Sequence, residues 1–168
     1  MVSVRMERNG HGGALGFEIT KIGRGQVEMT FPYKEEVVGN PITGVVHGGV
    51  IVSLLDTACG TAAITTLTGP SITPTMYLRL DYMHPAEPHQ PIYVSAKVYR
   101  STSNVIFCRG SDWQDDPENP IAHCVATFMT VDPPGTPLGN IIPRPFNCLA
   151  LGASAADGVV EHGVANFN

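Results

Sequence analysis

Charge is what this sequence has least of. Charged residues make up 15% of the 168-residue chain, against roughly 25% in an average soluble domain. The 10 Lys and Arg are outnumbered by 15 Asp and Glu, for a formal net charge of −5. A general nucleic-acid binder needs a basic face to displace counterions from phosphates, so this balance argues against one. A surface so poor in charge must consist of uncharged polar groups or be covered, for instance by another subunit. The four cysteines (Cys59, Cys108, Cys124 and Cys148) form no C-x-x-C pair. That excludes a zinc ribbon and a thioredoxin-type motif. The opening MVSVRMERNGHGG holds no apolar signal core, so a reduced, cytoplasmic setting is expected. Val50 to Thr68 is the least polar stretch, but it contains Asp56, Ser53 and five threonines and stops at Gly69-Pro70. A spanning helix wants about 20 predominantly apolar residues, so this segment reads as a helix buried in protein and no membrane partner is expected. No G-x-S-x-G, G-x-G-x-x-G or P-loop motif is present.

The length suits one domain with a real core. Residues 17–33 alternate around Gly23-Arg24-Gly25, with Val27, Met29 and Phe31 on one face and Glu28 and Thr30 on the other. That predicts two strands and a tight turn. Residues 34–47 predict a loop, and residues 48–67 the one long helix. Four strands follow, around 76–82, 93–99, 105–113 and 121–131, the last two separated by the polar Asp115–Pro120. Asp112, Asp115, Asp116 and Glu118 are expected at a solvated hairpin tip. Trp113 and Phe107 share a strand face that suits a core or a subunit interface. Strands without βα alternation after the helix predict an antiparallel sheet packed on one helix, the α+β class. The domain is placed at residues 1–132. Residues 133–168, rich in Pro, Gly and Ala, form a C-terminal extension.

On a helical wheel at about 100° per residue, Val50, Ile51, Leu54, Leu55, Ala58 and Ala62 cluster on one side. Asp56 lies nearly opposite, among Ser53, Cys59, Gly60 and Ala63. A solvated face would carry Lys and Glu. This one reads as a groove of small residues with one carboxylate, which suits a general base. A lone helical Asp can equally be exposed, or bonded to a neighbouring hydroxyl. The helix entry is Gly44-Val45-Val46-His47-Gly48-Gly49. Two glycines there leave N–H donors uncrowded at the positive end of the helix dipole, where they can hold an oxyanion. They can also serve tight packing alone, and His47 can orient the loop or pack. Gly48 and Asp56 stand about 12 Å apart along the axis, too far to act on one carbonyl. Two antiparallel copies of the helix solve this, so a catalytic reading predicts a homodimer with sites between subunits.

The run HGGVIVSLLDTACGTAA at residues 47–63, with NPITGVV upstream and YLRLDYMHPA downstream, resembles the PaaI-like acyl-CoA thioesterases of the hotdog-fold superfamily. The resemblance covers about residues 15–131. It implies a curved antiparallel sheet wrapped around a central helix, dimers that often pair into tetramers, and hydrolysis of acyl-coenzyme A with no cofactor and no metal. It makes Asp56 the carboxylate that activates water or attacks the carbonyl, gives the oxyanion N–H to Gly48, and puts His47 and Gly49 at the substrate loop. Asn40 is the candidate for the family's Asn before the HGG motif, although the loop is one residue longer here. A supporting hydroxyl from the partner subunit falls on Thr75, with Thr73 second. Lys97 and Arg100, beside the Ser101–Asn104 turn, are candidates for the coenzyme A phosphates, with Arg79 more distant. Two other readings stand beside hydrolysis: a catalytically silent acyl-CoA-binding protein, and a hotdog enoyl-thioester hydratase, whose His-plus-acid motif is not found. His84, His89 and His123 match no zinc motif.

Overall fold

The computed structural model describes residues 4–6, 10–69 and 71–131. The extension expected at residues 133–168, with Cys148, lies outside the described residues. The elements run β1 (Val4–Arg5), α1 (His11–Leu15), β2 (Glu18–Gly23), β3 (Gln26–Phe31), β4 (Val38–Asn40), β5 (Val45–Val46), α2 (Gly48–Ile64), β6 (Thr75–Tyr82), β7 (Ile92–Ser101), β8 (Val105–Trp113) and β9 (Ala122–Met129). One antiparallel sheet has the order β1-β2-β3-β7-β8-β9-β6, and β4 and β5 make a separate hairpin. The expected helix and six expected strands are all present. The loop at 34–47 holds the β4–β5 hairpin, and α1 and β1 precede the first expected strand.

Alternation explains the layers. Val27, Met29 and Phe31 of β3 are buried, as are Ile92, Val94 and Ala96 of β7, Ile106 and Cys108 of β8, and Ala126 and Phe128 of β9. They form one core with Leu54, Leu55, Ala58 and Ala62 of α2. Each fully buried large apolar side chain is worth about 1.5–3 kcal/mol. The turn between β2 and β3 needs a glycine, because Gly25 has φ +73°. Its N–H donates to Thr65 Oγ1 at 2.7 Å, which ties the turn to the end of α2.

Two expectations need correction. Cys59 and Ala63, read as part of an open groove, are fully buried, and Gly60 faces the Phe128 ring. The sheet curves far enough to cover both flanks of α2. The side left open is a narrow stripe through Gly49, Val52 and Asp56. Asp112, expected at a solvated tip, is 0% exposed. Its carbonyl accepts from Ile121 N–H and its Oδ1 from Ala122 N–H, both at 2.8 Å. Two residues of the incoming chain thus oppose one, and the carboxylate satisfies the amide that the ladder would otherwise leave bare. Trp113 and Phe107 face outward, beside Tyr93 and Tyr99 respectively. Among the described residues no helix is long and apolar enough to cross a membrane.

Candidate active site

Asp56 lies half-buried at mid-helix on the open stripe of α2. Thr75 Oγ1 donates to its Oδ1 at 2.9 Å. An irregularity in the β6–β9 register between Thr75 and Tyr77 makes this contact possible. Tyr77 pairs with Thr127 on the outer face, and simple alternation would send Thr75 outward as well. Instead it pairs with the inward-facing Phe128. Bulges commonly re-aim side chains in this way. Thr75, the first of the two candidate hydroxyls, thus reaches the Asp56 of its own chain, where the resemblance implied a hydroxyl from the partner subunit. Oδ2 of Asp56 has no donor among the described residues.

The helix entry is closed more tightly than its glycines suggest. His47 caps α2, its Nδ1 accepting from Gly49 N–H at 2.9 Å. That role puts the ring proton on Nε2. Gly49 N–H is thus committed, while Gly48 N–H has no acceptor among the described residues. Tyr82 Oη donates to the Gly48 carbonyl at 2.9 Å. A Cβ at Gly48 would come to 3.2 Å from that oxygen, and one at Gly49 to 2.8 Å from His47 Nδ1. His11 Nε2 lies 2.9 Å from Ser53 Oγ, and Ser53 Oγ donates to the Gly49 carbonyl at 2.9 Å. The hydroxyl has one proton, so His11 is the donor to it. His11, His47, Gly49 and Ser53 border an open groove of about 450 Å³ that also meets Leu15, Glu36, Val37 and Val50 but reaches neither Asp56 nor Thr75. Sequence reasoning missed His11 and the hydroxyl of Tyr82. His11 sits in a segment without periodicity, and Tyr82 read only as an alternating strand residue.

The remaining candidates lie elsewhere. Asn40 shapes the tip of the β4–β5 hairpin: its Oδ1 accepts from Ile42 N–H and its carbonyl from Gly44 N–H. Lys97 alternates with the buried Ala96 and faces away from α2, and Arg100 pairs with the outward Phe107. Within one chain neither meets Asp56. The thiols of Cys59, Cys108 and Cys124 are buried where α2 meets the sheet, with Cys59 and Cys124 Sγ 3.6 Å apart. The contact with Cys124, and then burial, push the Cys59 thiol up. Burial pushes Cys108 up to about 12. Thiols held this way are poor nucleophiles.

The sequence profile of the thioesterase superfamily matches residues 43–121, a span containing both the helix entry and Asp56. The medium/long-chain acyl-CoA thioesterase YigI of Salmonella typhimurium is 29% identical over 129 residues, 69% of this chain and 82% of the relative. A Saccharolobus solfataricus protein is 32% identical over 92 residues, 55% of this chain and 63% of the relative, so less than two thirds of that protein is spanned. A solved Pseudomonas aeruginosa structure is 48% identical, with a TM-score of 0.64 over 70% of this chain and 87% of that one. The E. coli PaaI protein, from the phenylacetic acid degradation operon, shares the fold at 18% identity, with a TM-score of 0.63 over 71% of this chain and 82% of its own.

Proposed function

Because the chain belongs to the thioesterase superfamily, with the hotdog fold of its PaaI-like members, we propose that it hydrolyses acyl-coenzyme A to the free acid and coenzyme A. The observation that carries this reading is the pairing of Asp56 with Thr75, on a helix whose first N–H is unclaimed. Thr75 holds Oδ1, leaving Oδ2 to face a water or the carbonyl itself. As base, Asp56 takes a proton from water while the water oxygen bonds the thioester carbon. The C–S bond then breaks and the thiolate leaves, to be protonated. As nucleophile, the same oxygen bonds the carbon and expels the thiolate, and water then hydrolyses the resulting anhydride to free the acid and Asp56. Gly48 N–H, at the positive end of α2, stabilises the oxyanion in either route. His47 fixes the loop that presents that N–H, and Gly49 lines the approach.

Gly48 and Asp56 of one helix lie about 12 Å apart, so the working site joins the Gly48 of one protomer to the Asp56 of another. The sheet supports such a dimer. β6 is an edge strand, and Met76, Tyr82 and Met83 on or beside it are 58%, 53% and 54% exposed. An unpaired edge that exposes such side chains is a template for a second chain. Pairs of such dimers forming tetramers complete the proposed assembly.

The decisive experiment measures free-thiol release across a panel of acyl-CoA esters for the wild type and Asp56→Asn, with circular dichroism as folding control. The expected result is turnover that falls at least a hundredfold in a folded variant. Undiminished turnover in folded Asp56→Asn removes Asp56 as the catalyst. Tight acyl-CoA binding with no turnover across the panel identifies a silent binding protein instead.

A further inference from the structure

The outer face of the sheet holds a second concavity, of about 470 Å³. The strand register builds it from two cross-strand rows. One row runs Gln26, Lys97, Arg109, Val125, and the next runs Glu28, Ser95, Ser111, His123. Cross-strand partners share a face, with Cβ atoms about 4.5–5.5 Å apart, and like charges directly opposite destabilise the pair. Lys97 and Arg109 are such a pair. Neither has a carboxylate partner among the described residues. Glu28, the acid in the concavity, is engaged by Lys21 at 3.4 Å. The whole chain has 10 Lys and Arg against 15 Asp and Glu. Three of those cations (Lys21, Lys97 and Arg109) nevertheless line this one hollow; Arg79, next in the first row, is paired at 3.0 Å with Asp81, which ends the second.

We propose that this concavity binds a small ligand carrying two adjacent phosphoryl groups. Two opposed, unpaired cations are neutralised by about two negative charges. An Arg fork matches phosphoryl oxygens bidentately, and a Lys supplies a point charge beside it. The Ser95–Ser111 row lies about 7 Å along the strands and adds hydroxyl donors, with the His123 ring at its end. The volume falls in the range of small-molecule sites, about 300–1,000 Å³. The site is independent of the proposed thioesterase chemistry. The sheet separates it from Asp56, and the inward neighbours Ala96, Cys108 and Cys124 belong to the core that α2 shares.

Thermal unfolding of the full chain at low ionic strength tests this without any turnover assay. Pyrophosphate and ADP should each raise Tm by about 5 °C or more at a hundredfold excess over Kd, and added salt should erode the shift. The double variant Lys97→Gln/Arg109→Gln should lose the shift, and without ligand it should melt above the wild type because the repulsion is gone. Lys97→Arg/Arg109→Lys keeps both charges and should retain the shift. A larger effect from ADP identifies a nucleotide as the source of the phosphoryl pair, and equal effects identify a free diphosphate. No shift with either probe up to about 10 mM overturns the proposal. So does an undiminished shift in the double Gln variant.

Discussion

Thr75 and Asp56 show how much a single residue's direction decides. Removing a hydrogen bond to a charged group costs about 1.5–3 kcal/mol, or roughly ten- to a hundredfold in rate if the bond is needed in the transition state. Thr75→Val should therefore lower kcat by that factor with little change in KM, and Thr75→Ser should restore most of it. Steady-state kinetics on the best acyl-CoA ester checks both. Asp112 gives a pH prediction. Burial pushes its carboxyl up to about 7 from its ordinary 3.8. The unfolded chain therefore ionises first, so stability is full below about pH 4 and is lost as pH rises towards 7. The loss is of the order of 4 kcal/mol at most. Asp112→Asn keeps an acceptor for Ala122 N–H and cannot ionise. It should match the wild type near pH 4 and exceed it near pH 8 in urea unfolding. The carboxylate of Asp56 was legible because it stands alone in an apolar run. Asp112 was misread because a bulge that buries an acid leaves no composition signal, and three exposed acids follow it closely. Thr75 was found only by resemblance, since strict alternation places it on the wrong face.

The start of α2 is the element on which the proposed site turns. His47 supplies the cap, and losing a cap costs about 1 kcal/mol. His47→Ala should lower stability by about that amount and disorder the Gly48 N–H, so chemical denaturation and kcat should fall together. Gly49→Ala puts a Cβ within 2.8 Å of His47 Nδ1, so it should displace the same cap and reproduce much of that loss. The long elements were readable because period-two alternation and a long, nearly uncharged run are strong signals. The short ones were not. β1 has two residues, α1 has five, and β4 and β5 have three and two, too few for any period to register. The flanks of α2 were also misjudged. A wheel describes one helix, whereas the coverage of Cys59 and Ala63 depends on how far a distant sheet curves.

At the scale of the molecule, the scarcity of charge divides into two causes. α2 carries a single charge because its own sheet wraps both flanks, and the open stripe is narrow. The β6 edge is a different surface, uncovered in one chain and exposing Met76, Tyr77 and Tyr82 beside the Arg79–Asp81 pair, and it is where the proposed dimer should be broken. Met76→Glu should leave the circular dichroism spectrum intact while analytical ultracentrifugation shows monomers and thioester hydrolysis is lost. Full activity in a demonstrated monomer would refute a site shared between subunits. The three thiols packed between α2 and the sheet have a practical consequence. Cys59 and Cys108 are fully buried at the seam that must part before the core is lost, so a disulfide reagent needs that parting to reach them. In a Cys124→Ser/Cys148→Ser chain, their modification rate becomes a clock for spontaneous opening of the helix from the sheet, read under native conditions and without denaturant.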